Sequence, residues 1–414
     1  MNNTYDLIII GAGATGLMCA AEAGQLRLKT LVLEGQPKPG AKILMSGGGR
    51  CNASNIRVTE QDYATNGSIH TIRHVLKIIS SDDVFMFFER WGAPLVLEQD
   101  GKYFSADGRA MTVLQALLRA AKEGDAEILC SRRVSSVALQ NDTFNVVAGT
   151  EVFEGRAVVV ATGGISYPQT GSSGFGYALA KSFGHQIVSP QPALTPFKAS
   201  RDIFSHLQGI ALPVRLTLWL KNRKERVSEG PLLFTHLGFS GPAVFDMSRH
   251  WVRAKEAGNT VLTADFLPFS KKDGLGFEDL PPLALKKTLK NFLGGVFPER
   301  LSLTLIKEAG LDPASSLELL SKDKKKKLAL CVRAFPLPIE GVFGFDKAEV
   351  TSGGVSLEEL EGATLESRLQ PGLYFAGEVL DADGRVGGFN LHWAWASGQA
   401  VARAIARKKE KGAS

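Results

Sequence analysis

Tyr5-Asp-Leu-Ile-Ile-Ile-Gly11-Ala-Gly13-Ala-Thr-Gly16 opens the chain, and Glu34 follows 18 residues after the last of these glycines. The apolar run before Gly11 predicts a buried parallel strand, and Gly11 permits the tight turn after it. Gly13 lets the backbone approach a pyrophosphate at the N-terminus of the next helix, and Gly16 lets that helix pack closely on the sheet. Glu34 ends the second strand and is placed to accept hydrogen bonds from an adenosine ribose. These features predict a βαβ dinucleotide-binding unit whose cofactor-binding residues are Gly11, Gly13, Ala14, Thr15, Gly16 and Glu34.

Length and composition predict a soluble globular protein of two or three domains. The chain has 414 residues, of which 44% are hydrophobic and 22% are charged, values typical of globular proteins. No apolar run approaches the roughly 18–20 residues that a membrane span needs. The N-terminal apolar stretch is short, follows Asp6 and continues into the glycine turn, so it does not have the form of a signal peptide. We therefore expect a cytoplasmic protein with no membrane partner.

Cysteine spacing and charge exclude some functions. Cys19, Cys51, Cys130 and Cys331 form no CxxC pair, so neither a redox disulfide nor a metal site is indicated. The net charge is +6, and much of the excess lies in 322–327 and 403–411. Solvated helix faces explain these runs better than nucleic-acid binding, because the basic stretches are not interleaved with aromatic residues. A small-molecule substrate is therefore expected, and no pattern indicates an oligomeric state.

The order of patterns along the chain predicts one nucleotide-binding domain interrupted by an insertion. Strand and helix patterns alternate to about residue 190 and return after about 345, where 373–377 is predicted to be a strand and 391–407 a helix. Between them, prolines punctuate short β-branched runs such as 214–219, and 283–330 has Leu, Lys and Ala at helical spacing. We predict the first part of the nucleotide-binding domain at 1–190, an inserted domain at 191–345 and the second part of the nucleotide-binding domain at 346–414. The inserted domain would contain a small β-barrel (191–275), a helical cap (276–335) and a return strand to about 345.

A C-terminal motif identifies the dinucleotide as FAD. The predicted strand 373–377 leads into Gly377-Glu378-Val-Leu-Asp381-Ala-Asp-Gly-Arg-Val-Gly387-Gly388-Phe389-Asn390, and a helix is expected to begin near Leu391. In two-dinucleotide-fold flavoproteins an equivalent segment returns to the cofactor, where its acid binds the ribityl hydroxyls. The helix N-terminus there would stabilise negative charge on the reduced flavin ring. A further strand and its glycine turn are predicted at 158–164. We assign Thr162 and Gly163 of this turn to the cofactor site as well.

The sequence also resembles a known group, the bacterial BaiN/YhiN-like flavoproteins of the aminoacetone-oxidase type. The resemblance spans nearly the whole chain and rests on 42–52 (KILMSGGGRCN), 162–171, 233–242, 350–355 and the C-terminal motif. It implies a noncovalent FAD domain of glutathione-reductase-like topology with an inserted β-barrel and a helical domain. The fold class is thus predicted to be α/β, with a Rossmann-like two-dinucleotide-binding FAD domain. Where the family usually has Arg, Tyr and Gln, this chain has Ala41, Phe389 and His392.

Flavin chemistry needs orientation and electrostatics from the protein more than a catalytic triad, and no triad is visible. The glycine-rich segment would wrap the flavin, with Cys51 packed beside it as an unreactive thiol. His236, in the Phe-Thr-His-Leu-Gly-Phe turn before a helix start at Ser240-Gly-Pro, is a candidate for proton delivery, with Ser240 as the helix cap. His392 is a candidate to line the flavin edge. The cofactor-binding residues predicted in this segment are Lys42, Ser46, Gly47, Gly48, Gly49, Arg50, Cys51 and Asn52.

The motifs together predict an FAD-dependent oxidoreductase that transfers a hydride between flavin N5 and a small organic substrate. Two modes stay open, an oxidase and a reductase that uses NAD(P)H as a transient electron donor. No second strand–GxGxxG–helix unit is present, so a nicotinamide would reach the flavin through the open pocket. Two alternatives belong to other classes: a flavin-bearing RNA-modification or RNA-binding protein, and an FAD-binding regulator without turnover.

Overall fold

Residue contacts divide the chain into two units. The structure is a computed structural model that describes residues 4–200, 202–268 and 285–412. The first unit consists of Met1–Pro192 and Phe345–Ser414, and the inserted unit is Ala193–Gly344. The domain boundaries expected from the sequence remain a prediction, and the expected border at 275/276 lies outside the described residues.

The described residues form strands and helices that we number in chain order. The strands are β1 Leu7–Ile10, β2 Thr30–Leu33, β3 Ser54–Asn55, β4 Tyr63–Ala64, β5 Leu95–Leu97, β6 Lys102–Ser105, β7 Glu127–Leu129, β8 Val134–Gln140, β9 Thr143–Ala148, β10 Glu151–Gly155, β11 Val158–Val160, β12 Ile187–Ala193, β13 Phe197–Ala199, β14 Ala211–Leu220, β15 Arg223–Thr235, β16 Gly238–Ser240, β17 Thr260–Asp265, β18 Phe335–Pro336, β19 Ile339–Val342, β20 Val350–Val355, β21 Leu373–Phe375 and β22 Asp383–Gly384. The helices are α1 Ala14–Gln25, α2 Ala41–Met45, α3 Ile69–Leu76, α4 Ser81–Arg90, α5 Ala110–Glu123, α6 Phe175–Ser182, α7 Pro242–Ala257, α8 Leu289–Gly294, α9 Glu299–Glu308, α10 Lys322–Arg333 and α11 Phe389–Gly412.

A five-stranded parallel sheet is the centre of the first unit. Its strand order is β21-β11-β1-β2-β7, so β1 and β21, from opposite ends of the sequence, lie in one sheet. The strands are continuous apolar runs, and every residue of β1, β2, β11 and β21 is buried. This is the pattern of a parallel sheet covered on both faces. The predicted α/β class is confirmed.

Helix α1 packs against two other helices through glycines. A Cβ atom on Gly398 of α11 would lie 2.7 Å from the carbonyl oxygen of Thr15, and one on Gly24 would lie 2.4 Å from the Cα atom of Gly124, just after α5. Contacts this short leave no space for a side chain, so glycine permits both helices to approach α1. The N-terminal and C-terminal parts of the chain are therefore held in one core.

The inserted unit is built on a seven-stranded antiparallel sheet of order β18-β17-β14-β15-β16-β13-β19. Strands β14 and β15 form a long hairpin whose two-residue turn, Lys221 and Asn222, has positive φ at both positions, as a type I′ turn requires. The predicted strand 214–219 lies inside β14. Helices α8, α9 and α10 fall in the region predicted to be helical, and this unit has its own core around Phe204, Phe234 and Phe239. In the described part of the chain, no helix combines the length and apolar character of a membrane span.

Candidate flavin site

The three glycines of the N-terminal turn have different surroundings. Gly11 has φ +107°, and a Cβ atom there would lie 2.6 Å from the carbonyl oxygen of Ala161. A Cβ on Gly16 would lie 1.9 Å from the carbonyl oxygen of Gly11, so only glycine lets α1 pack on this strand. Gly13 is the N-cap of α1, and apart from its own chain neighbours no atom of the described residues lies within 4 Å of its Cβ position. There is thus open space at the helix N-terminus, where a pyrophosphate would be stabilised.

Glu34 is fixed by the backbone at the end of β2. Its Oε2 accepts a hydrogen bond of 2.7 Å from the N–H of Ala12, and its Oε1 accepts one of 2.7 Å from the N–H of Gln36. An ionised carboxylate has about four acceptor positions, so acceptor capacity remains beside the glycine turn. This geometry suits the expected bond to a ribose hydroxyl.

The C-terminal motif contacts the start of α1 directly. Gly377 follows β21 with φ +78°, and a Cβ there would lie 2.1 Å from Thr15 Oγ1. Asp381 is fully buried, and its Oδ2 accepts hydrogen bonds from the N–H of Asn66 at 2.7 Å and from Thr65 Oγ1 at 3.2 Å. Helix α11 begins at Phe389, two residues earlier than expected, directly after Gly387 and Gly388, which both have positive φ. Neither of the two glycines is therefore inside the helix.

The glycine-rich segment 46–52 packs against this helix start. Gly47 and Gly48 are in the left-handed region, and a Cβ on Gly388 would lie 2.5 Å from the carbonyl oxygen of Ser54. With its amide oriented to satisfy both neighbours, Asn52 accepts from the N–H of Gly388 at 3.0 Å and donates to Ser54 O at 2.9 Å. Two segments more than 330 residues apart in sequence thus form one edge of the site.

Cys51 and Arg50 are neighbours in the glycine-rich segment, but the first is buried and the second is ion-paired. Cys51 is fully buried, and burial raises the pKa of its thiol to about 12, so it is not a nucleophile. The Arg50 guanidinium pairs with Glu98 and lies 4.2 Å over the ring of Phe104. Its charge is therefore engaged by protein groups.

Lys42 and Glu378 form an ion pair that connects three parts of the site. Lys42 Nζ lies 2.5 Å from Glu378 Oε2 and 2.5 Å from Ser166 Oγ. Glu378 Oε1 accepts from Ser166 Oγ at 3.0 Å and from the N–H of Thr351 at 2.9 Å. The sequence indicated Lys42 and Glu378 separately, but no local spacing joins residues 336 positions apart. The pair fixes a cation near the turn after β21.

His392 is a buried residue of α11 with a complete set of partners. Its Nδ1 lies 2.9 Å from Ser54 Oγ, and its ring also bonds to the backbone of Ile79. Burial lowers the pKa of His392 to about 4, so the ring is neutral near pH 7. This arrangement favours a structural role.

His236 lies in the inserted unit, exposed in the two-residue turn between β15 and β16. The helix expected just after this turn is present as α7, which begins at Pro242. The expected cap is wrong by one residue. The N-cap is Gly241 with φ +102°, and no side chain caps the helix. A residue with a side chain would not readily adopt this φ at position 241.

The residues present fit an FAD molecule. Thr162 Oγ1 is buried and, in the part of the chain that the structure describes, has no hydrogen-bond partner. The Cβ positions of Gly13 and Gly163 both face open space, and both glycines follow carboxyl ends of neighbouring parallel strands. Ligands bind at this edge in open α/β sheets. Across residues 4–200, 202–268 and 285–412, no cluster of three or more His, Cys, Asp or Glu side chains could hold a metal ion.

The first unit has a Rossmann-like fold in which β1 and β21, far apart in the sequence, meet in one parallel sheet. A fold of this kind with space for FAD at the carboxyl edge of the sheet is that of an FAD-dependent oxidoreductase. The chain belongs to the HI0933-like family, whose Rossmann-domain model matches residues 5–404. The resemblance to BaiN/YhiN-like flavoproteins is thereby confirmed.

Curated relatives match over almost their full length. The chain is 33% identical to the ribosomal RNA dihydrouridine synthase of Escherichia coli, covering 98% of this chain and 99% of that protein. It is 31% identical to the 3-dehydro-bile acid delta(4,6)-reductase of Clostridium scindens, covering 97% and 98%. Among solved structures, the open conformation of a flavocytochrome c3 fumarate reductase matches with a TM-score of 0.51 at 16% identity, covering 98% of this chain and 78% of that one. That last likeness concerns the fold alone.

Proposed function

We propose that this oxidoreductase is a reductase that takes electrons from NAD(P)H and passes a hydride from flavin N5 to a carbon–carbon double bond conjugated with a carbonyl group. The relatives' names support this reaction class. Dihydrouridine differs from uridine by two hydrogens across a double bond conjugated with a carbonyl, and the bile-acid enzyme is named for reducing double bonds of a 3-oxo substrate. The substrate of this chain is proposed to be a small organic molecule of that kind.

The observation that carries the proposal is the meeting of the two chain ends at the carboxyl edge of β1, β11 and β21. When bound there, FAD supplies hydride transfer. The N–H groups of α1 beside Gly13 would bind its pyrophosphate, Glu34 its ribose and Asp381 its ribityl hydroxyls. The N-terminus of α11 and the Lys42 ammonium would stabilise negative charge on the reduced ring.

Anaerobic mixing with NADPH or NADH tests the electron donor. We expect rapid bleaching of the flavin absorption, followed by recovery when a cyclic enone is added. The saturated ketone of the same skeleton is the matched control and should leave the flavin reduced. Failure of both nicotinamides to bleach the flavin excludes the reductase. Recovery with dioxygen but not with any enone indicates an oxidase.

His236 is our candidate for delivery of the substrate proton, because its imidazole is exposed in the turn between β15 and β16 and this side chain can serve as a general acid. Replacing it by Asn should slow enone reduction and leave the bleaching by NADPH unchanged. Equal slowing of both half-reactions indicates that the turn is only structural.

A second candidate substrate is a uracil base in RNA. Two observations favour it: the name of the Escherichia coli relative, and the distribution of charge. The inserted unit has 23 Lys and Arg against 15 Asp and Glu, whereas the remainder of the chain has 25 against 27. All of the positive excess is therefore in the inserted unit, where it would attract a polyanion.

Salt-dependent binding to ribosomal RNA fragments tests this candidate. Three of the exposed lysines of α10 are replaced together by Gln: Lys324, Lys326 and Lys327. If they contact phosphates, the slope of log affinity against log salt should fall by up to about 2. The matched control replaces three exposed lysines of the first unit, Lys77, Lys122 and Lys181. The RNA candidate is excluded if the protein does not bind the fragments at low salt. It is also excluded if no uridine of the bound RNA gains the two hydrogens of dihydrouridine.

A further inference from the structure

A pocket of about 400 Å³ lies at the edge of the parallel sheet opposite the flavin site. Its walls include Asp6, Arg156 and Gly372, which precede β1, β11 and β21, whereas the flavin-site glycines follow the same parallel strands. Strands of three or four residues separate the two edges by roughly 10–13 Å. The pocket is thus a separate cavity within the first unit, and its volume lies in the range of small-molecule sites.

Two lysines at the end of α11 are already paired at this pocket. Lys409 Nζ lies 2.7 Å from Asp6 Oδ2, and Lys408 Nζ lies 2.6 Å from Glu366 Oε1. An ammonium has three donors, so each lysine keeps donors for a further acceptor. These pairs also hold the two ammonium groups in place beside the cavity.

Arg156 supplies the charge that the pocket does not neutralise. Its side chain is exposed, and within the described chain its guanidinium forms no ion pair with a carboxylate. The three cations of the cavity wall are therefore opposed by two carboxylates, Asp6 and Glu366, and the charge of Arg156 is left over. A guanidinium is a planar fork that binds carboxylate or phosphate oxygens in pairs.

The inner wall of the pocket is apolar. Ala157, Tyr374 and Ile405 are each at least nine-tenths buried and line the cavity. Apolar surface next to convergent cations suits a ligand with a compact body and one anionic group.

We propose that this pocket binds a small organic anion, a carboxylate or a phosphate monoester on a compact apolar body, at a site remote from the flavin. The anion would accept from Arg156, Lys408 and Lys409, and its body would lie against Tyr374 and Ile405. This inference is independent of the proposed reductase activity.

Calorimetric titration of the FAD-loaded full chain tests the proposal. The probes are benzoate and phenyl phosphate, with neutral benzamide as a control of the same body. We expect saturable binding of at least one anion below about 10 mM, none of benzamide, and an unchanged flavin spectrum. The relative affinities of the two anions decide between a carboxylate and a phosphate.

Substitutions locate the binding. Arg156→Gln should weaken the anion by about tenfold or more, and Arg156→Lys by less, because it keeps the charge and loses the fork. Arg223→Gln, at an exposed arginine of the inserted unit, is the control and should leave affinity unchanged. Equal affinity in Arg156→Gln, equal binding of benzamide, or no saturable signal from either anion overturns the proposal.

Discussion

Gly13 and Gly16 lie three residues apart and have opposite tolerance for a side chain. Gly16→Ala places a Cβ 1.9 Å from the Gly11 carbonyl, so we expect it to destabilise the apoprotein by about 1–3 kcal/mol. The methyl group of Gly13→Ala meets no atom of the described chain within 4 Å, apart from its own chain neighbours. It should leave the apoprotein stable and weaken FAD, because the methyl group would enter the space assigned to the pyrophosphate.

Urea unfolding of the apoprotein and FAD titration by flavin fluorescence measure the two effects separately. Unaltered FAD affinity in Gly13→Ala contradicts the assignment of the pyrophosphate to this helix N-terminus. Gly16→Ala supplies the comparison, because its loss of FAD should accompany a loss of stability.

Lys42 and Glu378 should shift the flavin midpoint potential in opposite directions. Lys42→Met removes a cation that would stabilise the reduced ring, so the potential should fall, by about 30 mV for each 1.4 kcal/mol of stabilisation lost. Glu378→Gln removes the carboxylate that neutralises this cation, so the potential should rise. Lys42→Arg keeps the charge and is the control. Equal potentials in all three variants place the pair away from the flavin.

His392 makes stability depend on pH. Burial lowers its pKa from 6.5 to about 4, so below pH 6.5 the unfolded chain binds a proton that the folded chain does not. The neutral ring makes its full contribution to the unfolding free energy above pH 6.5. This contribution is lost as the pH falls to about 4, which lowers the unfolding free energy by about 3 kcal/mol.

His392→Gln, which introduces the residue usual in the family, removes this titration. As the pH falls from 6.5 to 4, we expect the unfolding free energy of the natural protein to decrease more than that of the variant. Denaturant melts at several pH values measure it, and parallel pH profiles contradict the buried neutral ring.

At the scale of elements, the contact between α1 and α11 depends on Gly398. Gly398→Ala places a Cβ 2.7 Å from the Thr15 carbonyl, so the helices must separate, at about 1–3 kcal/mol despite the better helix propensity of Ala. Gly294→Ala, at the end of α8, meets no atom of the described residues within 4 Å and should stabilise by about 0.5–1 kcal/mol. Urea unfolding compares them, and equal effects show that the helices can adjust.

The elements around local motifs were predictable, because a strand, a glycine turn and a helix are encoded within about 30 residues. The strand 373–377 and the helix 391–407 appear as β21 and α11, each with shifted ends. The side-chain pairs were not predictable. Ser54 with His392 and Lys42 with Glu378 join residues more than 330 positions apart, and no periodicity reports which side chains the sheet brings together.

At the scale of the molecule, the two units have separate cores, and the flavin site is proposed to lie in one of them. We expect two unfolding transitions in scanning calorimetry, one for each unit. FAD should raise the transition temperature of the first unit only. At a hundredfold excess over its Kd, FAD adds about 2.7 kcal/mol. Hydrogen exchange assigns each transition to its unit. A single transition that FAD raises as a whole would show that the two units unfold as one.

The joining of both chain ends in a single sheet has a consequence for biosynthesis. Gly16 and Gly387 are separated by 371 positions, which a ribosome translates in roughly 20–70 s at 5–20 residues per second. During that interval the nascent phosphate-binding turn has no α11 to complete it, while the inserted unit can already collapse around its own aromatic core. Loading with the coenzyme must therefore wait until α11 has been translated, and the half-made first unit is the stage at which chaperones would be needed.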